Sequence, residues 1–153
     1  MIVLKVNSVE KEVDVDGAET LLTALRDRLG LLGAKRGCNQ GVCGACTVLI
    51  DERPMRSCLS LAANCEGSRI TTVEALESDA LGSRLQRALV ECGAVQCGFC
   101  TSGVLMSAYQ LLSLKSNPTI EEIREGLSGN LCRCTGYRKI VDAVRKAAEE
   151  SGK

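Results

Sequence analysis

The sequence predicts an α+β fold in which a small sheet-containing domain, residues 1–76, precedes a helical domain, residues 77–153. Two observations support this division. In the first half, short runs alternate between apolar and polar residues, which is the period of a half-buried strand. After about residue 76 the apolar residues recur every three or four positions, which is the period of an amphipathic helix.

The first domain is expected to contain strands around one helix. Residues 2–6 and 9–15 alternate across Asn7-Ser8 and predict a β-hairpin. Leucines at positions 21, 22, 25 and 29 predict a helix that ends at Gly30. Residues 47–50 and 69–73 predict further strands, and residues 51–54 predict a turn. Strands around one helix, with a long loop up to residue 46, are typical of a β-grasp-like domain.

Four apolar stripes predict four helices in the second domain, which is therefore expected to be four-helix-bundle-like. Thr119 and Glu122 have the spacing of a capping box at the start of the third helix. We expect Thr101 or Ser102 to cap the second helix, Thr135 to cap the fourth, and residues 146–153 to be solvated. The stripes contain Leu81, Leu85, Ala88 and Leu89; Val104, Leu105, Ala108, Leu111 and Leu112; Ile120, Ile123 and Leu127; and Ile140, Val141, Val144, Ala147 and Ala148.

The composition excludes several classes of function. Nineteen basic residues balance nineteen acidic ones, so no excess positive charge is available for nucleic acid or an anionic membrane. No apolar run approaches the ~20 residues of a membrane-spanning helix, and the N-terminal residues do not resemble a signal peptide. With no histidine, the chain cannot form a Ser-His-Asp triad, a Rieske centre or a mixed Cys/His zinc site. Aromatic residues make up only 2%, too few for a base-stacking platform.

Ten cysteines fall into two sets of four, with two remaining. Without a signal peptide the expected location is the reducing cytoplasm, where metal binding explains many cysteines better than disulfides do. Cys38, Cys43 and Cys46 have the C-x4-C-x2-C spacing of plant-type [2Fe–2S] ferredoxins, and Cys58 supplies a fourth thiolate.

The residues between these cysteines are small and rich in glycine. Gly41 and Gly44 allow the backbone to wrap closely and direct N–H groups at cluster sulfurs, where hydrogen bonds tune the reduction potential. The alternatives are a zinc knot and a redox disulfide, although zinc loops rarely combine a four-residue gap with glycines.

The second set is Cys97, Cys100, Cys132 and Cys134, a C-x2-C and a C-x-C pair separated by thirty-one residues. By spacing alone, these thiolates could bind either Zn²⁺ or a [2Fe–2S] cluster. The first set favours the iron–sulfur alternative, because a second redox centre completes an electron path. Both pairs directly precede predicted helices, whose positive dipole ends stabilise an anionic cluster and favour its reduced state.

Cys65 and Cys92 belong to neither set. We expect them to be buried, inert thiols. The alternative is a reactive thiol or an intermolecular bridge.

Three segments around the cysteine sets resemble the iron–sulfur small subunit of the xanthine oxidase family of molybdenum hydroxylases, whose members include xanthine dehydrogenase, carbon monoxide dehydrogenase and 4-hydroxybenzoyl-CoA reductase. The resemblance extends over nearly the whole chain. One departure is Ser102, where the family commonly has proline; serine also suits a first helical turn. The three segments are residues 37–48, Gln96-Cys97-Gly98-Phe99-Cys100-Thr101, and Gly129-Asn130-Leu131-Cys132-Arg133-Cys134-Thr135-Gly136-Tyr137.

The resemblance implies a heterotrimer, or a dimer of heterotrimers. Its large subunit binds a molybdopterin cofactor and the substrate, and its medium subunit binds FAD. Electrons pass one at a time through both clusters to the flavin, with the second cluster nearer the molybdenum. Gln96, before the first cysteine of the second set, is expected to hydrogen-bond the pterin; otherwise it is an ordinary exposed amide.

Two other functions compete with this one. A free-standing ferredoxin shuttle needs only the first domain, so the added helical domain argues against it. A zinc-stabilised interaction module without a redox role would be colourless and contain stoichiometric zinc.

Overall fold

Residues 1–150 are described by a computed structural model, in which five strands form one mixed sheet and four longer helices follow. The strands β1 and β5 run parallel, and the other neighbouring pairs run antiparallel. An α+β fold is therefore confirmed. The strands are β1 (Ile2–Val6), β2 (Val9–Val13), β3 (Thr47–Ile50), β4 (Arg53–Arg56) and β5 (Arg69–Thr71), in the order β2-β1-β5-β3-β4.

The predicted N-terminal hairpin forms β1 and β2. Asn7 and Ser8 join the strands with φ angles of 51° and 67°, the left-handed values that a tight two-residue hairpin turn requires. Leu4 and Val6 alternate inward and are buried. The strand β2 ends at Val13, two residues earlier than the sequence predicts.

The first helical segment covers one side of the sheet. The helix α1 (Leu21–Thr23) continues directly into a π-helical turn, Ala24–Arg28. Thr20 caps α1 by accepting a hydrogen bond from the N–H of Thr23 at 3.2 Å. The leucine spacing predicts the helix correctly but not its wider π-helical part. The side chains that it buries completely include Leu21, Leu22 and Leu25.

Residues 51–54, predicted to be a turn, divide between a turn and a strand. Asp51 and Glu52 form the turn with φ angles of 48° and 68°. Arg53 and Pro54 instead begin β4, where Pro54 lies opposite Leu49 of β3. Proline is tolerated there because β4 is the last strand of the sheet and has one free edge.

The strand β3 is buried on both faces. Val48 packs into the core beneath α1, whereas Leu49 belongs to the core formed by the later helices. Cys46 directly precedes β3, so this strand places the first cysteine set at the boundary between the two cores.

The four predicted helical segments are present as α2 (Ala80–Glu91), α3 (Thr101–Leu114), α4 (Ile120–Leu127) and α5 (Arg138–Glu149). The predicted capping box starts α4: the Thr119 hydroxyl accepts from the N–H of Glu122, and the Glu122 carboxylate accepts from the N–H of Thr119. Side chains from all four helices share one core, including Leu85, Met106, Ile123, Ile140 and Val144.

The end of the chain differs from the prediction. Residues 146–149 continue α5, and Ala147 and Ala148 are buried in the helical core instead of solvated, because they lie on the inward stripe of the helix. The rest of the predicted tail and of the second domain, residues 151–153, lies outside the described residues. Within residues 1–150, none of the helices combines the length and the apolar character needed to cross a membrane.

Candidate metal-cluster site

The hairpin of β3 and β4 brings two cysteines of the first set together. Cys46 directly precedes β3, and Cys58 lies two residues after β4, so antiparallel pairing places them side by side. The Ser57 hydroxyl donates to the Cys46 carbonyl at 2.7 Å and helps to hold this end of the hairpin closed. Both cysteines are buried.

Burial is the main influence on the pKa of the Cys58 thiol. Burial and, to a smaller extent, the neighbouring Cys46 thiol together raise the pKa of the Cys58 thiol to about 11. The backbone N–H of Gly41 donates toward the same sulfur and offsets part of this rise. Gly41 has a φ of 76°, in the left-handed region where glycine carries no penalty.

Cys38 lies in a loop whose backbone amides converge on its sulfur. Its Sγ accepts hydrogen bonds from the N–H groups of Gln40, Val42 and Cys43, each at 3.3 Å. These donors, that of Cys43 foremost, lower the pKa of Cys38 to about 6. A sulfur that three amides stabilise in its negative form is suited to bind iron as a thiolate.

The second set joins the loop before α3 to the loop before α5. The thiols of Cys97 and Cys134 lie against each other, and so do those of Cys100 and Cys132. Burial, together with the contact with Cys132, raises the pKa of Cys100 to about 12. Cys97 and Cys134 are exposed, and their mutual contact raises the pKa of Cys134. One side of this set therefore faces solvent.

Thr135 supports the sulfur of Cys132. Burial opposes ionisation of Cys132, but the Thr135 hydroxyl, 3.1 Å from Sγ, and the backbone N–H groups of Thr135 and Cys134 outweigh it and lower the pKa of Cys132. The prediction that Thr135 caps α5 is wrong. Its hydroxyl faces the sulfur and the N–H of Tyr137, and α5 begins after Tyr137, which has a left-handed φ of 70° and makes no side-chain cap.

The predicted cap of α3 is also wrong. The N–H of Thr101 bonds to the Gly98 carbonyl at 3.2 Å, so the chain already turns before the helix begins. Cys100 takes the cap position without a side-chain hydrogen bond, and Thr101 and Ser102 fall inside the first turn. The buried Oγ of Ser102 has no hydrogen-bond partner among residues 1–150.

The thiols approach one another in twos. In the part of the chain that the structure describes, no three Cys, Asp or Glu side chains converge closely enough to hold one metal ion. A zinc site draws four thiolates to a single ion, whereas the four thiolates of a [2Fe–2S] cluster divide between two irons. The arrangement is therefore compatible with one [2Fe–2S] cluster in each cysteine set. The pairs are Cys38 with Cys43, Cys46 with Cys58, Cys97 with Cys134, and Cys100 with Cys132.

The loops of the two cysteine sets contact each other directly. The N–H of Leu131 donates to the Cys43 carbonyl at 2.8 Å, which links a residue of the first set to the neighbour of Cys132. The ring of Phe99, from the second set's loop, lies beside Gly37. A Cβ on Gly37 would be 3.3 Å from that ring and 2.9 Å from the Sγ of Cys43.

Gly44 occupies the closest point of this contact. Its φ is 75°, and a Cβ there would overlap the carbonyl of Gly129 and crowd the side chain of Asn130. Asn130 is 3% exposed, and its side-chain amide donates to the Gly44 carbonyl at 3.1 Å. Asn130 lies in one of the three segments singled out in the sequence, two residues before the C-x-C pair, but no role was predicted for it.

The other predicted residues lie at the edges of the site. Gln96 is exposed beside the exposed Cys97. Cys65 is buried as predicted, its Sγ lies 3.3 Å from the Leu61 carbonyl, and burial raises its pKa, as expected of an inert thiol. Cys92 is half-buried.

Two protein-family descriptions match consecutive parts of the chain. Residues 4–69 match the "2Fe-2S iron-sulfur cluster binding domain", and residues 72–145 match the "[2Fe-2S] binding domain". The first match contains all four cysteines of the first set, and the second contains all four of the second set.

Similar proteins extend over the whole chain. The nicotine 6-hydroxylase small subunit of Paenarthrobacter nicotinovorans is 53% identical over 149 residues, which are 97% of this chain and 90% of that protein. The nicotinate dehydrogenase small FeS subunit of Eubacterium barkeri is 45% identical and covers 95% of this chain and 93% of its own length. A chain of the crystal structure of quinoline 2-oxidoreductase from Pseudomonas putida 86 superimposes with a TM-score of 0.93 at 46% identity, over 99% of this chain and 94% of that one.

Proposed function

Because this chain belongs to the iron–sulfur small subunits of the molybdenum hydroxylase family, we propose that it forms the electron path between two partner subunits. It is the electron-transfer subunit of an oxidoreductase and carries two [2Fe–2S] clusters, while molybdopterin and FAD are bound by other subunits. The relatives are complex subunits, which favours this role over that of a free-standing ferredoxin. Substrate is oxidised on the molybdenum subunit, and this chain contributes no catalytic residue.

The grouping of the thiols in twos is the single observation that carries the ligand assignment. Cys38, Cys43, Cys46 and Cys58 are proposed to hold the first cluster, and Cys97, Cys100, Cys132 and Cys134 the second. A [2Fe–2S] cluster held here would accept and release one electron at a time, and the residues around it would adjust its reduction potential. Three amides on Cys38 and the Thr135 hydroxyl on Cys132 support this role, because such donors stabilise negative sulfur. Gly41 contributes one further amide.

The exposure of the thiols supports an order along the path. Cys97 and Cys134 are open to solvent beside Gln96, so we propose that this side of the second cluster docks against the molybdopterin subunit, with Gln96 donating to the pterin. The first cluster then lies nearer the FAD subunit. Val42 and Leu59, 60% and 64% exposed in the first set's loop and just after Cys58, are apolar residues suited to be covered by that partner.

Domain division and assembly complete the proposal. The β-grasp-like, ferredoxin-type domain is assigned to residues 1–76, and the four-helix-bundle-like domain to residues 77–153. The proposed assembly is a cytoplasmic heterotrimer or a dimer of heterotrimers, without nucleic-acid or membrane partners. The absence of basic excess charge supports the exclusion of nucleic acid.

The proposal is tested by low-temperature electron paramagnetic resonance with spin counting on the anaerobically reduced full chain. We expect two distinct S = ½ signals, each near one spin per chain. A single signal would contradict the proposal of a second cluster. It would also refute the role proposed for Gln96. A colourless protein with stoichiometric zinc would replace the redox function with a structural one.

A further inference from the structure

Asn130 is the centre of a buried polar network between the two cysteine loops. Its amide N–H groups face the Gly44 carbonyl at 3.1 Å and the Thr47 hydroxyl at 3.4 Å, and its carbonyl oxygen accepts from the Ser107 hydroxyl at 2.7 Å. The orientation of the amide is determined, because a backbone carbonyl can only accept a hydrogen bond. Asn130, Ser107 and Thr47 are each at most 5% exposed.

This network joins the first cysteine loop to two separate parts of the helical domain. Gly44 and Thr47 belong to the segment around β3, Ser107 belongs to α3, and Asn130 belongs to the loop before α5. Arg56, at the end of β4, adds a second link by donating to the Gly129 carbonyl at 2.5 Å and to the Thr47 hydroxyl at 2.9 Å.

Glycines allow the backbones to meet here. A Cβ on Gly103 of α3 would overlap the Gly44 carbonyl, and a Cβ on Gly44 would overlap the Gly129 carbonyl. The three backbones are therefore in direct contact. Within this contact, the N–H of Leu131 donates to the Cys43 carbonyl at 2.8 Å, which connects a first-set cysteine to the residue preceding a second-set cysteine.

We propose that Asn130 is a positioning residue for electron exchange between the two clusters. It holds Gly44, the neighbour of Cys43, against its own neighbour Leu131, and so keeps the Leu131–Cys43 hydrogen bond formed. This inference rests on the proposed function, because it requires both cysteine sets to carry clusters. The amide nitrogen and the carbonyl oxygen of the Asn130 side chain both have partners, and a satisfied buried polar group rigidifies its surroundings.

The test compares Asn130→Asp with a matched control in the reduced full chain and in the assembled enzyme. Asn130→Asp keeps the size and the acceptor for Ser107 but removes the amide donors. Asn7→Asp makes the same chemical change at another hydrogen-bonded asparagine, whose side chain donates to Thr72 at 2.9 Å, away from the cysteine loops. Ser107→Ala is a milder variant, because it removes only the hydrogen bond that the Ser107 hydroxyl of α3 donates to the Asn130 side chain.

The readouts are the magnetic interaction between the two reduced clusters and the rate at which substrate reduces the flavin. We expect Asn130→Asp to retain two cluster signals, to weaken their interaction, and to slow flavin reduction severalfold, because the rate of electron transfer falls as the two clusters move apart. Ser107→Ala is expected to give a smaller effect of the same kind, and Asn7→Asp none.

Unchanged magnetic interaction and flavin reduction in Asn130→Asp would overturn the inference. If Asn130→Asp fails to assemble, Ser107→Ala decides in the same way, and wild-type behaviour in it rejects the role of Asn130. Failure of the proposed function gives a different result, because the unmodified chain itself then lacks at least one of the two [2Fe–2S] signals.

Discussion

Substitution of Gly44 by alanine tests whether the close approach of the two cysteine loops stabilises the protein. Gly44 and Gly67 have similar left-handed φ angles, 75° and 80°. A Cβ on Gly44 would overlap the Gly129 carbonyl, whereas a Cβ on Gly67 would meet nothing within 4 Å. Gly67→Ala therefore measures the backbone penalty alone, and Gly44→Ala measures that penalty together with the disrupted contact.

The two penalties differ in size. A left-handed conformation costs an ordinary residue about 1–2 kcal/mol, which is the expected loss in free energy of unfolding for Gly67→Ala. Gly44→Ala must also push apart the Leu131–Cys43 and Asn130–Gly44 hydrogen bonds, each of which contributes about 1 kcal/mol and costs up to ~3 if a buried partner stays unpaired. We expect a total loss of about 3–8 kcal/mol for Gly44→Ala.

Thermal unfolding of the cluster-loaded full chain, at one scan rate, separates the two variants. About 2–4 °C is lost per kcal/mol in a protein of this size. The midpoint should therefore fall by about 2–8 °C for Gly67→Ala and by about 6–32 °C for Gly44→Ala. Equal losses in both variants would contradict the reasoning, because the contact with Gly129 would then contribute nothing.

Three further predictions concern the cysteines themselves. Cys97→Ser should remove the second cluster and slow flavin reduction in the assembled enzyme while substrate still reduces the molybdenum; flavin reduction at the normal rate would reject the electron path. In the cluster-free chain, alkylation of Cys38 followed by mass spectrometry should rise with pH around a midpoint near 6, because its pKa is lowered to about 6 and the thiolate is the reactive form. Cys58 and Cys100, with pKa values raised to about 11 and about 12, should stay unreactive at neutral pH, and equal rates for all three would contradict these environments. Thr135→Val should lower the reduction potential of the second cluster by roughly 20–60 mV, because one hydrogen bond of about 1 kcal/mol to Cys132 is lost. The loss matters more in the reduced cluster, which carries more negative charge. An unchanged potential in a redox titration would show that the hydroxyl does not act on the cluster.

Local patterns in the sequence were sufficient for most of the secondary structure. Alternation predicts β1 and β2, leucine spacing predicts the first helical segment, and the Thr119–Glu122 spacing predicts the start of α4. The local failures have identifiable causes. Pro54 suggests a turn, yet a sheet edge accommodates it as part of β4. Hydroxyl residues near Cys100 suggest a cap, yet the chain turns from Gly98 and leaves them inside α3.

Cysteine spacing and glycine content, which are properties of the chain alone, determined that this protein has two sets of four thiols and that both suit iron–sulfur chemistry. The tertiary structure decided how those thiols group in twos, which of them are exposed, and how the two loops meet at Gly44 and Asn130. The physical reason is that these features depend on residues far apart in sequence: Asn130 and Gly44 are separated by 86 positions. Only packing of the helical core against β3 brings their backbones into contact, and no local pattern encodes that distance.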